Sequence, residues 1–299
     1  MYVLLGANGN ITSQVARQLL KRGLPTRVVG RQAASLAPLQ QLGAQTAIGD
    51  AGDAAFLAKA FHGASAIYAM IPPDYSAADM LASQRRIGSA IVQAIVQSPV
   101  PRVVNLSSIG AELPAGTGPI AGLHEQEARL DAIAGLDLVH LRPAYFMENH
   151  LHAVGAIAAM GVYPSVERGD VPVPMIATAD IATVVVRELI EPRSRGVLHL
   201  QAPRHYTFEQ AATILGTAIG RPDLAYAQVE PAQGRSAMIS AGFSPNVADL
   251  MVQMAQWMSE GISTTLTGPL EVLPTTLESF AARFRQAFDA LPNAPRAAA

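Results

Sequence analysis

Hydrophobic and polar positions fall into a repeating block pattern over the first half of the chain. Short apolar runs occur at Tyr2–Leu5, Thr26–Val29, Gln45–Ile48, Ala66–Met70, Arg102–Leu106 and Asp137–Leu141. Each is too short for a stable helix and is bounded by Gly, Pro or polar residues, which predicts a buried strand. Between them lie amphipathic stretches near Thr12–Lys21, Leu36–Leu42, Ala54–Phe61, Ala77–Val96 and Leu123–Ile133, with apolar residues at helical spacing. In the first of these, Ile11, Val15, Leu19 and Leu20 share a face. Strands alternating with helices predict an α/β fold, a doubly wound parallel sheet covered on both sides.

The pattern breaks after about residue 143, where Pro164, Pro172 and Pro174 interrupt it. Asp180 is expected to cap a helix reaching Ile190, and Gly196–Gln201 reads as a further strand. Thr207 and Gln210 stand at capping-box spacing at the head of a helix to Ile219. Two more helices are expected near Asn246–Glu260 and Leu277–Phe288, and the Pro/Ala-rich end from Pro292 should fray. This divides the chain into a nucleotide-binding domain over 1–150 and a smaller, irregular α+β lobe over 151–299. Part of that lobe should return to the main sheet.

The first strand runs into Gly6-Ala-Asn8-Gly9-Asn10-Ile11 and then a helix. Strand, glycine turn and helix is the context in which a glycine motif reads as a dinucleotide site. Amide groups at the helix start attract a pyrophosphate, and glycine lets it approach the backbone. The second strand ends at Arg31, and no Asp or Glu precedes Asp50. A site for the unphosphorylated cofactor needs an acid about 20 residues past the glycines to hold the ribose 2′-hydroxyl. Arg31, with Arg27 as a possible helper, suits a 2′-phosphate instead, so the expected cofactor is NADP(H). Asp50 and Asp53 follow the third strand, where an acid can meet the adenine amino group or cap the next helix. Met70-Ile-Pro72-Pro73 should shape the groove through its backbone.

Composition removes several alternatives. Net charge is −2 with 15% charged residues and no long charge run, which gives no footprint for nucleic acid. No apolar run approaches the roughly 18 residues of a membrane span. There is no cysteine, hence no disulfide and no thiol nucleophile. His150 and His152 point to different sides of a helix with no third ligand nearby, so no metal site is expected. A cytoplasmic location is the expectation.

Beyond the glycine turn, the chain carries Gly49-Asp50, Asn105-Leu-Ser107-Ser108 and Leu141-Arg-Pro143-Ala-Tyr145-Phe146-Met147-Glu148-Asn149. In this order, these motifs resemble the NmrA-like family of atypical short-chain dehydrogenases. Gly6–Ile11 is similar to its GATGNVG start and Leu141–Asn149 to its LRP..FMEN segment. The resemblance implies a Rossmann-like NAD(P)-binding fold and either an NADPH-dependent quinone reductase or an NADP-sensing regulator. It also places Tyr145, Phe146 and Asn149 beside the nicotinamide, with Tyr145 at the cofactor and the other two toward the acceptor. The chain departs from the family at Thr12, which replaces the third glycine; its hydroxyl could bond a phosphate or simply accompany looser packing.

The larger departure is catalytic. Ordinary short-chain dehydrogenases use a Tyr-x-x-x-Lys pair, in which the lysine lowers the tyrosine pKa. This chain has only Lys21 and Lys59, neither four residues after a tyrosine. The segment in that place holds His124, Glu125 and Glu127. His124 is therefore the candidate proton donor and Ser107 the candidate for orienting the acceptor oxygen. The alternative is that His124 and the acids serve a helix start, and that the serines bond their own loop. Trp257, in a Met/Trp stripe from Met251 to Met258, is a candidate acceptor contact or a core residue. The expected function is hydride transfer from NADPH to a small, flat electrophile such as a quinone. The rival is a non-catalytic NADP(H) sensor that binds a partner protein; a homodimer is a further expectation.

Overall fold

The computed structural model describes residues 1–262 and 268–291. The segment from Pro292, expected to fray, lies outside the described residues. The main sheet contains β1 (Tyr2–Leu4), β2 (Thr26–Gly30), β3 (Gln45–Ile48), β4 (Ala66–Ala69), β5 (Arg102–Leu106) and β6 (Asp137–Pro143). Two later strands join it, β10 (Gly196–Gln201) and β13 (Leu270–Val272), giving eight parallel strands in the order β13-β10-β6-β5-β4-β1-β2-β3. The remaining strands are β7 (Tyr145–Phe146), β8 (Tyr163–Ser165), β9 (Val173–Ile176), β11 (His205–Tyr206) and β12 (Tyr226–Gln228). They form a three-stranded sheet β11-β9-β7 and a two-stranded sheet β12-β8.

Both faces of the main sheet are covered along its inner strands, which is why these read as continuous apolar runs, while the edge strands β3 and β13 are partly exposed. Leu4 and Val28 point into one core, packed under α1 (Asn10–Lys21), α2 (Ala33–Gln41) and α7 (Thr178–Ile190). Their neighbours Val3, Leu5 and Val29 point into the other, under α3 (Ala54–Phe61), α4 (Met80–Gln97) and α5 (Ala121–Asp131). A third cluster sits in the lobe, built from Met147, Tyr163, Phe208 and Phe284 among others. Its helices are α6 (Val154–Met160), α8 (Phe208–Ala218) and α11 (Leu277–Asp289). The helices α9 (Pro231–Ser240) and α10 (Pro245–Ser259) pack on each other, and α10 against the short turn Gly118–Ile120.

Helix ends follow the local chemistry. Asp53 accepts the Phe56 amide at 3.0 Å, and Thr207 and Gln210 form the reciprocal capping box. The fourth helix starts at Met80 instead of Ala77, because Asp79 accepts the Ala82 amide there. Asp180 does not cap its helix. It lies inside the first turn of α7, and its carboxylate accepts the Thr275 amide. The cap comes from Glu148, thirty residues upstream, whose Oε2 accepts the Thr178 amide at 3.0 Å.

Candidate nucleotide site and acceptor side

Strand order reverses between β1 and β4, and a crevice opens beyond the carboxyl ends of the two strands. Ligands bind at such switch points in open α/β sheets. A cavity of about 290 Å³ occupies it. Gly6, Asn8 and Gly9 from the first turn, Gly30 and Arg31 after β2, and Asp50 and Ala51 after β3 line it. Met70, Pro72 and Asp74 after β4, with Ser83, Arg86 and Ile87 of α4, complete the wall.

The turn is shaped for an anion. Gly6 has φ +70°, and a Cβ there would collide with the sulphur of Met70 directly behind it. Gly9 is the N-cap of α1 and supplies no side-chain acceptor, so the first-turn amides remain free for a pyrophosphate. No acid occupies that first turn. Thr12 takes neither a phosphate nor a loosening role: its hydroxyl donates to the Leu5 carbonyl at 2.9 Å and is buried. The side chain of Ile11 points into the core, so Ile11 can serve a ligand only through its amide, whereas Asn10, whose backbone carbonyl takes Ser13 and Gln14, keeps an exposed side chain.

Arg31 is exposed at the cavity mouth, and its guanidinium makes no hydrogen bond or ion pair to any described residue. Arg27 is not its helper. It points to the far end of β2 and donates to the Ala60 carbonyl at 2.6 Å and to Gln45. Arg27 stands near the start of β2 and Arg31 just past its end, so about 13 Å of extended chain separates the two. Asp50 accepts the Gly52 amide and pairs with Arg86 at 2.8 Å; both interactions hold its carboxyl below the usual range. Asp74 also lines the cavity, and its bonds to Ser76 lower its carboxyl pKa. Neither Arg86 nor Asp74 was expected from the sequence: Arg86 reaches the site from α4, and Asp74 directly follows the Met70–Pro73 segment, which was expected to act through its backbone alone.

On the acceptor side, β5 ends at Leu106 and presents Ser107 and Ser108. Ser108 bonds the carbonyl of Ile109 at 2.9 Å. Ser107 is 3% exposed, its amide donates to the Leu141 carbonyl, and its hydroxyl has no partner among the described residues. A buried, unpartnered hydroxyl is costly unless something else bonds it. His124 donates Nδ1–H to the Ala111 carbonyl at 2.8 Å, which leaves Nε2 as the free nitrogen. The ring thus pins the loop that follows Ser107. Trp257 closes over the same loop: a Cβ on Gly110 would lie 2.6 Å from its Cη2.

A family model described as the NmrA-like family matches residues 2–281. The chain belongs to the NmrA-like family. The NAD(P)H azoreductase of Xenophilus azovorans is 27% identical over 257 residues, covering 85% of this chain and 86% of that protein. Among solved structures, the NADPH-dependent quinone oxidoreductase of Escherichia coli, complexed with NADPH, superposes with a TM-score of 0.75 at 22% identity. That match covers 95% of this chain and 99% of the other. The triphenylmethane reductase of Citrobacter sp., complexed with NADP(H), gives 0.80 at 19% identity, covering 95% and 100%. At these identities the superpositions speak to the Rossmann-like fold.

The segment that most resembles the NmrA-like family does mainly structural work here. Arg142 is buried and grips Glu127 of α5 through Nε and Nη2, at 3.0 and 2.5 Å, and reaches Glu112 as well. Glu148 caps α7 and takes Arg283 of α11 at 2.7 Å. Tyr145, expected at the nicotinamide, packs its ring 5.5 Å from His150 and 5.6 Å from Phe208 of the lobe, with Asn149 bonding its hydroxyl. Burial pushes the Tyr145 phenol well above its ordinary pKa. Large aromatic surface gains more from that core than from a wet cleft. Phe146 faces the other way and packs against the main core. His150 bonds the Tyr163 hydroxyl and the Met175 sulphur. No cluster of metal-ligating side chains occurs among the described residues, and no helix there is long and apolar enough to cross a membrane.

Proposed function

We propose that this chain is an NADPH-dependent oxidoreductase that reduces a small, flat electrophile such as a quinone. The observation that carries the reading is the crevice itself. A glycine turn with free helix-start amides faces Arg31, a guanidinium that makes no hydrogen bond or ion pair with a described residue, and Ser107, a buried hydroxyl without a partner among the described residues, stands at the end of β5. In this reading Gly6, Asn8 and Gly9, with the amides of Asn10 and Ile11, hold the pyrophosphate. Arg31 pairs with the 2′-phosphate, and Met70 backs the turn. The family membership and the reductase names and NADPH-bound states of its relatives support the assignment.

The bound cofactor supplies hydride from C4 of its nicotinamide. The protein contributes positioning and a dry cleft. Ser107 donates its hydroxyl to one acceptor oxygen and fixes the ring. His124 holds the Ser107 loop through Nδ1, and Nε2 passes a proton only when the ring is protonated, since Nδ1–H is committed to Ala111. A quinone tolerates this modest acid catalysis, because its singly protonated product is a stable anion. The missing tyrosine–lysine pair suits such an acceptor better than a simple ketone. In this reading Trp257, packed over Gly110, borders the acceptor side, and Phe146 and Asn149 are the further candidates for contact with the acceptor.

The experiment is NADPH oxidation by the purified protein against a quinone, an azo dye and an aldehyde, with NADH in parallel. Saturable turnover of the quinone, faster with NADPH, supports the reading. Tight NADPH binding without turnover of any acceptor would replace it with the regulatory alternative, a cofactor sensor that acts on a partner protein.

A further inference from the structure

Strands β2 and β3 end side by side. The Gly49 amide bonds the Gly30 carbonyl at 3.0 Å, so the next residues, Arg31 and Asp50, stand as neighbours at the mouth of the same cavity. A carboxylate there opposes a 2′-phosphate in two ways. It repels the phosphate, and it competes for the guanidinium that would bind it. Yet Arg31 and Asp50 form no ion pair. The Asp50 carboxylate turns instead to Arg86 of α4, at 2.8 Å to Nη1 and 3.5 Å to Nη2. The fork reaches it by lying across Gly52, where any Cβ would collide with the guanidinium. The Gly52 amide fixes the remaining geometry by donating to Asp50 Oδ1 at 2.9 Å.

We propose that Arg86 sets the preference for a 2′-phosphorylated nucleotide, by neutralising Asp50 and holding it off Arg31. Arg86 is a specificity-determining residue that acts through another side chain; Arg31 makes the phosphate contact. The inference rests on the cofactor reading above. Without Arg86, Asp50 becomes the acid that a site for the unphosphorylated cofactor needs, free to pair with Arg31 or to accept from the ribose 2′-hydroxyl. Gly52 belongs to the device, because the absence of its side chain is what admits the fork.

The test is the dissociation constants of NADPH and NADH, measured by titration of the purified chain. The proteins are wild type, Arg86→Met, Asp50→Asn, the double variant and Gly52→Ala, with a melting curve for each. Arg86→Met should weaken NADPH by about tenfold and leave NADH unchanged or tighter. Asp50→Asn in that background should restore most of the loss. Gly52→Ala touches neither charge and should shift the preference in the same direction by less. Equal weakening of both cofactors would overturn the inference, since it marks Arg86 as packing on the shared adenine. A selective loss that Asp50→Asn leaves in place would also overturn it, since Arg86 would then hold the phosphate itself. No change in Arg86→Met overturns it outright. A wild-type protein indifferent to the 2′-phosphate, with Arg31→Met equally indifferent, would remove the cofactor reading and this inference together.

Discussion

Gly6 and Met70 lie back to back at the switch point, the sulphur filling the place where a Cβ on Gly6 would project. The same glycine adopts φ +70°, which an L side chain rarely takes. Gly6→Ala therefore meets both a backbone cost and a collision, together about 1–3 kcal/mol of stability. Urea unfolding of Gly6→Ala and of Gly6→Ala with Met70→Ala should show the second change relieving only part of the loss, because the backbone cost remains. Cofactor affinity should fall in both.

Ser107→Ala separates ligand from fold. The hydroxyl is buried with no partner among the described residues, so its removal should leave the melting temperature unchanged or slightly raised. Quinone turnover should fall roughly tenfold, the value of one hydrogen bond made in the transition state. A drop in stability with turnover intact would show that the serine supports the loop and nothing more.

Arg142 and Glu127 are each 7% exposed and meet through two bonds. Removing one partner leaves a buried charge uncompensated, a loss of about 3–5 kcal/mol. Arg142→Met and Glu127→Gln should each destabilise strongly, and the double variant should lose less than the sum. A double-mutant cycle by chemical unfolding reads this coupling directly.

His150 gives the fold a defined acid sensitivity. Burial lowers its pKa from 6.5 to about 3. Between those values the unfolded chain takes up a proton that the folded chain refuses. Stability from this group is complete above pH 6.5 and declines as pH falls toward about 3, by about 1.4 kcal/mol per pH unit. Glu167 has the opposite sign, since burial raises its carboxyl pKa and its contribution fades as pH rises. His150→Gln, whose amide oxygen can still accept from Tyr163, should flatten the acid limb of the stability profile. An unchanged limb would mean that the carboxylates alone set it.

Much of the sheet was legible in the chain because its strands are buried on both faces and its helices carry one apolar face each. The first turn and Arg31 were legible for the same local reason: strand, glycine and helix are contiguous in sequence. What escaped was nonlocal. Asp180 looked like a cap because it stands where a cap would, but a carboxylate thirty residues earlier reaches the free amide of Thr178. Arg27 looked like a second phosphate ligand because it neighbours Arg31 in sequence, but it lies at the other end of its strand. The packing of Tyr145 on Phe208 and His150 of the lobe had no local signal either. Arg86 gave no local signal at all, since only the packing of α4 over Gly52 brings it to Asp50.

The central claim is that a 2′-phosphate meets Arg31. The direct measurement is the affinity of NADPH and of NADH for wild type and for Arg31→Met. Loss of one charge-assisted bond should weaken NADPH by about 1.5–3 kcal/mol and leave NADH little changed. Equal loss for both cofactors, or none for either, would contradict the claim.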